Sequence, residues 1–174
     1  MKYLLLLFTT LIFACNTSDF QQEKDIVNEL IVEYDSLFNA INRIDIQSAK
    51  TKLKKYNESL EYSKSQLSSE KKPSPETMNF MNDMKLMKRQ FKNASSTKNN
   101  LISSTARNQE QLKNLINDIS NGVFEKEDIE LIISREQQAL KELSIETSNF
   151  EESYKNADSR FDSLYELSKT FQYN

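Results

Sequence analysis

The chain has no histidine and no tryptophan, and only one glycine, two prolines and one cysteine in 174 residues. Each shortage excludes something. Without histidine the commonest general base and the commonest transition-metal ligand are missing. Histidine-held haem and the Glu-x-x-His di-iron sites of helical bundles fall away with it. A single glycine leaves no glycine-rich loop to cradle phosphate. A single cysteine rules out an intramolecular disulfide. All-β folds need turn residues about every 8–12 positions, and this chain has too few. It must consist of long helices joined by very few turns. The formal charge of −3 gives no basic footprint for nucleic acid.

What is present begins at the N-terminus. Lys2 supplies a positive charge, and Leu4 to Ala14 form a short apolar run that ends in a small residue. A transmembrane helix needs about 20 apolar residues. This run is shorter and has the layout of a secretory signal peptide over residues 1–14. Ile12-Phe13-Ala14-Cys15 resembles the lipobox of bacterial lipoproteins: an aliphatic residue stands three before the cysteine and a small one directly before it. The resemblance covers only the signal. It implies cleavage before Cys15, lipidation of the Cys15 thiol and acylation of its new amine, which makes a membrane the first partner. Two or three acyl chains hold far more firmly than one. The cysteine is then taken by the anchor, and thiol catalysis is excluded. By the same resemblance Asn16, standing where an aspartate would mark inner-membrane retention, favours the outer membrane. Asp19, Glu23 and Asp25 read either as an acidic surface-export signal or as the start of a helix. Removing residues 1–14 leaves 160 residues (174 − 14) and takes away Lys2, so the charge becomes −4. The expected organisation is a signal peptide at 1–14, a lipidated tether at 15–18 and a helical domain at 19–174.

Punctuation falls in two places, Lys71-Lys72-Pro73-Ser74-Pro75 and Asn121-Gly122. Three segments result, with helices expected at about 19–67, 75–120 and 126–172. Ser18 and Gln21 have capping-box spacing. Pro75 suits a first helical position, where its missing amide hydrogen is not needed. Asn121-Gly122 reads as a left-handed helix stop. Seam residues, nearly all apolar, alternate at three and four in each segment: Val27, Leu30, Tyr34, Leu37 and Ile41; then Phe80, Met84, Met87, Phe91 and Ala94; then Ile129, Ile133, Glu136, Leu140 and Leu143. Such sustained alternation marks coiled-coil-like packing. In the first segment the stripe changes frame near Asn42-Arg43-Ile44-Asp45, as a kink, a register shift or a short break would cause. Each segment of ~45 residues would reach about 68 Å as a helix, and short turns make neighbours antiparallel. The expectation is all-α: an elongated, antiparallel, up-down-up three-helix bundle. A four-helix arrangement with a true turn at Asn42–Asp45 is the alternative.

Few residues suggest chemistry. Glu125 with Glu127 and Asp128, Glu142 with Glu146, and Glu151 with Glu152 are carboxylate groupings of the kind a solvated helix face carries. Met78, Met81, Met84 and Met87 form a stripe that reads as core filling on or beside the seam. Asp35-Ser36-Leu37 and Asp162-Ser163-Leu164 resemble a short O-glycan acceptor motif of Gram-negative envelope proteins, and three residues recur readily by chance. Lys98, Thr105 and Asn108 interrupt the second stripe. Polar seam residues reduce stability and fix register. A turn centred near residue 71 sets Asp45 opposite Lys98, a candidate structural pair; alternatively Lys98 runs out to water.

No catalytic residue, metal ligand or cofactor is expected. The sequence reading is a membrane-anchored bacterial envelope protein that binds, spaces or scaffolds, facing an envelope protein, the cell wall or an external ligand. A small-ligand carrier or enzyme with a pocket lined by the polar seam residues is the alternative.

Overall fold

The computed structural model describes residues 20–67 and 75–170. It contains four helices: α1 (Gln21–Arg43), α2 (Gln47–Leu67), α3 (Pro75–Ser120) and α4 (Lys126–Thr170). No strand occurs among the described residues. α1 and α2 both pack on α3 and on α4, and α3 packs on α4. α1 and α2 do not pack on each other among the described residues. They follow one another along the same groove, so the cross-section holds three helices and the bundle is the expected one. α3 has 46 residues and α4 has 45, about 68 Å each at 1.5 Å per residue.

The frame change expected near Asn42–Asp45 is a short break at Ile44–Ile46, between α1 and α2. Ile44 has φ −65° and ψ 110°, an extended conformation. The reason lies in the alternation Ile44-Asp45-Ile46. In a helix, residues two apart point about 200° away from each other, so one isoleucine would face water. In extended chain they point the same way. The break buries Ile44, packs Ile46 against the core and leaves Asp45 exposed. An extended residue advances about 3.3 Å against 1.5 Å in a helix, so the break carries α2 further along the rod than an unbroken helix would. Facing pairs shift accordingly. Leu37 shares a groove with Leu140 above the break, whereas Ser59 meets Ser168, 109 positions on, below it.

Other ends follow local chemistry. α1 starts at Gln21 after Phe20, with no side-chain cap; Gln21 bonds forward to Asp25, and Ser18 lies outside the described residues. α3 starts at Pro75 as expected. It ends in a Schellman turn: Val123 donates its amide to Asp118 O (3.0 Å) and Gly122 to Ile119 O (3.1 Å). Gly122 has φ +67°, the left-handed region.

The core is one continuous seam from Val27 and Ile129 at one end to Tyr56 and Phe161 toward the other. Below the break it is aromatic. Phe91 meets Tyr154 (6.0 Å) and Phe161 (5.6 Å) edge-on, and Phe161 stacks on Tyr165.

Nothing lies within 4 Å of a Cβ added at Gly122, so only the backbone resists a side chain there. Gly122→Ala should cost about 1 kcal/mol of unfolding free energy and Gly122→Asn less. Thermal or urea unfolding of the two variants measures the difference.

Candidate functional site

The polar residues that interrupt the seam are the places where function is expected, and they gather in three layers. The first is the break. Lys98 reaches across from α3 and donates its ammonium to Asn42 O (2.9 Å) and Ile44 O (2.7 Å). The last carbonyls of a helix have no intrahelical partner, and a cation suits the negative end of the helix dipole. Lys98 is therefore a C-terminal cap for α1 supplied by its neighbour. Asp45 serves the other side. Its Oδ1 accepts the Gln47 amide at 2.8 Å, at the first turn of α2, where a carboxylate suits the positive end. The sequence register sets these two residues opposite each other, and both stand at the break. Among the described residues no ion pair joins them; each is engaged with backbone instead.

The second layer lies across α1, α3 and α4. The Asn108 amide donates to the hydroxyl of Tyr34 at 3.0 Å, and Tyr34 is fully buried. Gln109 reaches Asp35 and the Ile31 carbonyl on the same flank. Glu136 stands in the α4 seam close enough to Tyr34 to act on it electrostatically. Its Oε2 is buried without a hydrogen-bond partner, and burial raises its pKa above the usual carboxylate value. Burial likewise raises Tyr34, opposed by the Asn108 hydrogen bond and reinforced by the charge of Glu136. Thr105 bonds the Leu101 carbonyl one turn back in its own helix (2.8 Å), so its hydroxyl is satisfied inside the core.

The third layer joins α2 to α4 below the break. Ser48 donates to Asp158 Oδ1 (2.7 Å) and shares a hydrogen bond with the Tyr154 hydroxyl (3.0 Å). Lys52 holds both the Asp158 carboxylate and its carbonyl, at 2.8 Å each, and its ammonium lies over the Phe161 ring. Burial by itself would raise the Asp158 pKa; the Lys52 and Ser48 hydrogen bonds and the lysine's charge outweigh it and hold the carboxyl below its usual value. Burial pushes the Tyr154 phenol up. Sequence reasoning missed this layer. Tyr154 is a seam residue and Ser48, Lys52 and Asp158 adjoin seam residues, and only the register across the break shows that they meet. Glu136 did carry a signal, a carboxylate in a seam position.

The remaining candidates do not converge. Glu125, Glu127, Asp128, Glu142, Glu146 and Glu152 are exposed, and Glu151 pairs with Lys155. Among the described residues no three His, Cys, Asp or Glu side chains gather as they would around a metal ion. Met84 and Met87 are core, Met81 is half-buried and Met78 is exposed. Ser36 and Ser163 are exposed on helices, with Leu37 and Leu164 turned toward the core. A concavity of about 640 Å³ is lined by α4 residues alone, from Ser134 to Glu142; it is the open flank of one helix and not a pocket. Cys15 lies outside the described residues. No described helix is long and apolar enough to cross a membrane. Compared with known proteins, the chain matches no family model, no curated protein and no solved structure.

Two measurements test these layers. Lys98→Met keeps the length of the side chain and removes the cap. It should lower stability by about 1–2 kcal/mol, the range for a charged hydrogen bond discounted for partial exposure, and raise amide exchange at the end of α1. Second, Asp158 and Glu136 should respond oppositely to pH. A lowered carboxyl pKa gives stability that is present above the unfolded value near 4 and is lost as pH falls through the folded value. A raised one gives stability that is present at low pH and is lost as pH rises from about 4 through the folded value. Asp158→Asn should therefore destabilise at pH 7 and little at pH 3. Glu136→Gln should stabilise at pH 7, with the gain vanishing at pH 3. Urea titrations at both pH values give the comparison.

Proposed function

We propose that this chain is a lipid-anchored bacterial envelope protein whose helical rod binds, spaces or scaffolds and does no catalysis. The observation that carries the reading is the signal ending in Ile12-Phe13-Ala14-Cys15, with the chain's only cysteine at the cut site. In this reading acyl chains on Cys15 hold the protein in the membrane, with the outer membrane favoured by Asn16. Cys15 stands five positions before Phe20, so the tether is at most about 18 Å long. The α1 start and the α3–α4 turn then form the membrane-proximal end, and the rod reaches outward toward an envelope protein, the cell wall or an external ligand.

The alternative, a carrier or enzyme with a pocket lined by Lys98, Thr105 and Asn108, has less support. Each of these residues uses its polar group inside the bundle.

Mass spectrometry of the protein extracted from its native membranes should find an N-terminal fragment that begins at Cys15 and carries acyl chains. Cys15→Ser should move the protein from the membrane to the soluble fraction. An unmodified Cys15 would sink the anchor.

A further inference from the structure

The sign of charge along the first rod changes at the break. α1 carries Glu23, Asp25, Glu29, Glu33 and Asp35 against Lys24 and Arg43; α2 opens with Lys50, Lys52, Lys54 and Lys55 before its first acid, Glu58. The lysines of α2 divide between two flanks. Lys52 and Lys55 face α4, over Phe161 and Tyr165. Lys50, at about 100° per residue, stands on the other flank, toward α3, and Lys54, one turn on, points outward at the rim of that flank. On α3 the flank toward α2 is marked by Lys88, whose ammonium lies 5.5 Å from the centre of the Tyr56 ring. Lys85 and Lys92, three and four positions from it, share that flank.

Two rows of lysines therefore border the α2–α3 groove. Lys50, Lys54, Lys85 and Lys92 are exposed and Lys88 is half-buried. Of these five lysines only Lys54 has an ion pair among the described residues, a 3.9 Å contact with exposed Glu58, and such contacts add little. Packed helices lie about 8–10 Å apart, close to the Debye length of about 8 Å at physiological salt, so the rows are only partly screened from one another. An overall acidic composition hides this local basic face.

We infer that the α2–α3 groove binds a linear polyanion, a flexible chain bearing repeated phosphate or carboxylate groups, laid along the rod between the two rows of lysines. A protein partner fits less well: protein interfaces are depleted in lysine and centre on aromatic and arginine anchors, and the aromatic here, Tyr56, is buried beneath the face. A bilayer fits less well too. The lysines border a groove, and the exposed apolar residues, Met78 and Leu86 of α3 among them, are spread singly over the bundle and form no apolar face beside the lysines for a bilayer to take up. The inference names the ligand class for the binding role proposed above and does not depend on the anchor: loss of polymer binding leaves acylation of Cys15 untouched, and an unmodified Cys15 leaves the groove.

The test is binding of the purified protein to inorganic polyphosphate and to polygalacturonate across a salt series, with vesicles containing phosphatidylglycerol alongside. K50Q/K85Q/K92Q removes three of the five lysine charges along the groove. K113Q/K141Q/R107Q makes the same change of charge on exposed positions of the other half of the rod, and circular dichroism checks both folds. The expected result is binding of at least one polymer, weakened tenfold or more by the groove variant and little by the control. The slope of log K against log salt should fall by about two for three lost contacts, as on a single-stranded polyanion. No polymer binding at physiological salt overturns the inference. So does equal weakening by both variants, or vesicle binding tighter than polymer binding.

Discussion

Lys98 holds two carbonyls at the end of α1, at the point where the first rod must stop being a helix and start again. A break inside a bundle exposes the unpaired carbonyls of one helix and the unpaired amides of the next. Left bare among apolar neighbours these groups would be costly. The bundle answers with one cation from α3 on the carbonyl side and one local carboxylate, Asp45, on the amide side. Both charges match the dipoles they meet. The break in turn lets Ile44 and Ile46 both pack inward, and it sets the register in which α2 meets α4.

That register decides which polar groups meet. Above the break, Asn108 and Tyr34 satisfy each other while Glu136 keeps an unpartnered oxygen. Below it, Ser48, Lys52, Tyr154 and Asp158 close into a network with the charges paired. The two half-buried carboxylates therefore have opposite electrostatic characters. One is held charged by a lysine, and the other is pushed toward its neutral form by burial. The seam thus contains a satisfied polar layer below the break and an unpartnered carboxylate oxygen above it, while the buried Tyr56 hydroxyl, also below, has no hydrogen-bond partner.

The same break separates two electrostatic surfaces, an acidic α1 and a basic α2–α3 flank. In the proposed anchored arrangement the acidic part is membrane-proximal and the basic groove stands further out. A rod so divided would present its cationic side to the envelope space and keep its acidic end by the membrane. The exposed apolar residues are scattered singly over α1, α3 and α4, as on many soluble surfaces.

Much of the fold was legible in the sequence because it depends on periodicity and on scarce turn residues. Three apolar stripes, Pro75 at a helix start and Gly122 at a helix stop are local facts, and the helices obey them. The antiparallel register of α1 against α3 followed from the position of the turns, and it brought Lys98 to the break. The sequence also located the disturbance near Asn42–Asp45, because a stripe cannot change frame inside an ideal helix. What it left open was the form of the disturbance and the atoms that satisfy it. A lysine beside an aspartate suggests an ion pair when only side chains are compared; in three dimensions the unpaired backbone carbonyls were nearer in need. The Ser48–Lys52–Tyr154–Asp158 layer and the lysine-lined groove depend on how far the extended break carries α2 along its neighbours. Sequence determined the helices and their order, and tertiary packing alone decided which polar groups face one another across them, because facing pairs depend on axial displacement, which no single helix encodes.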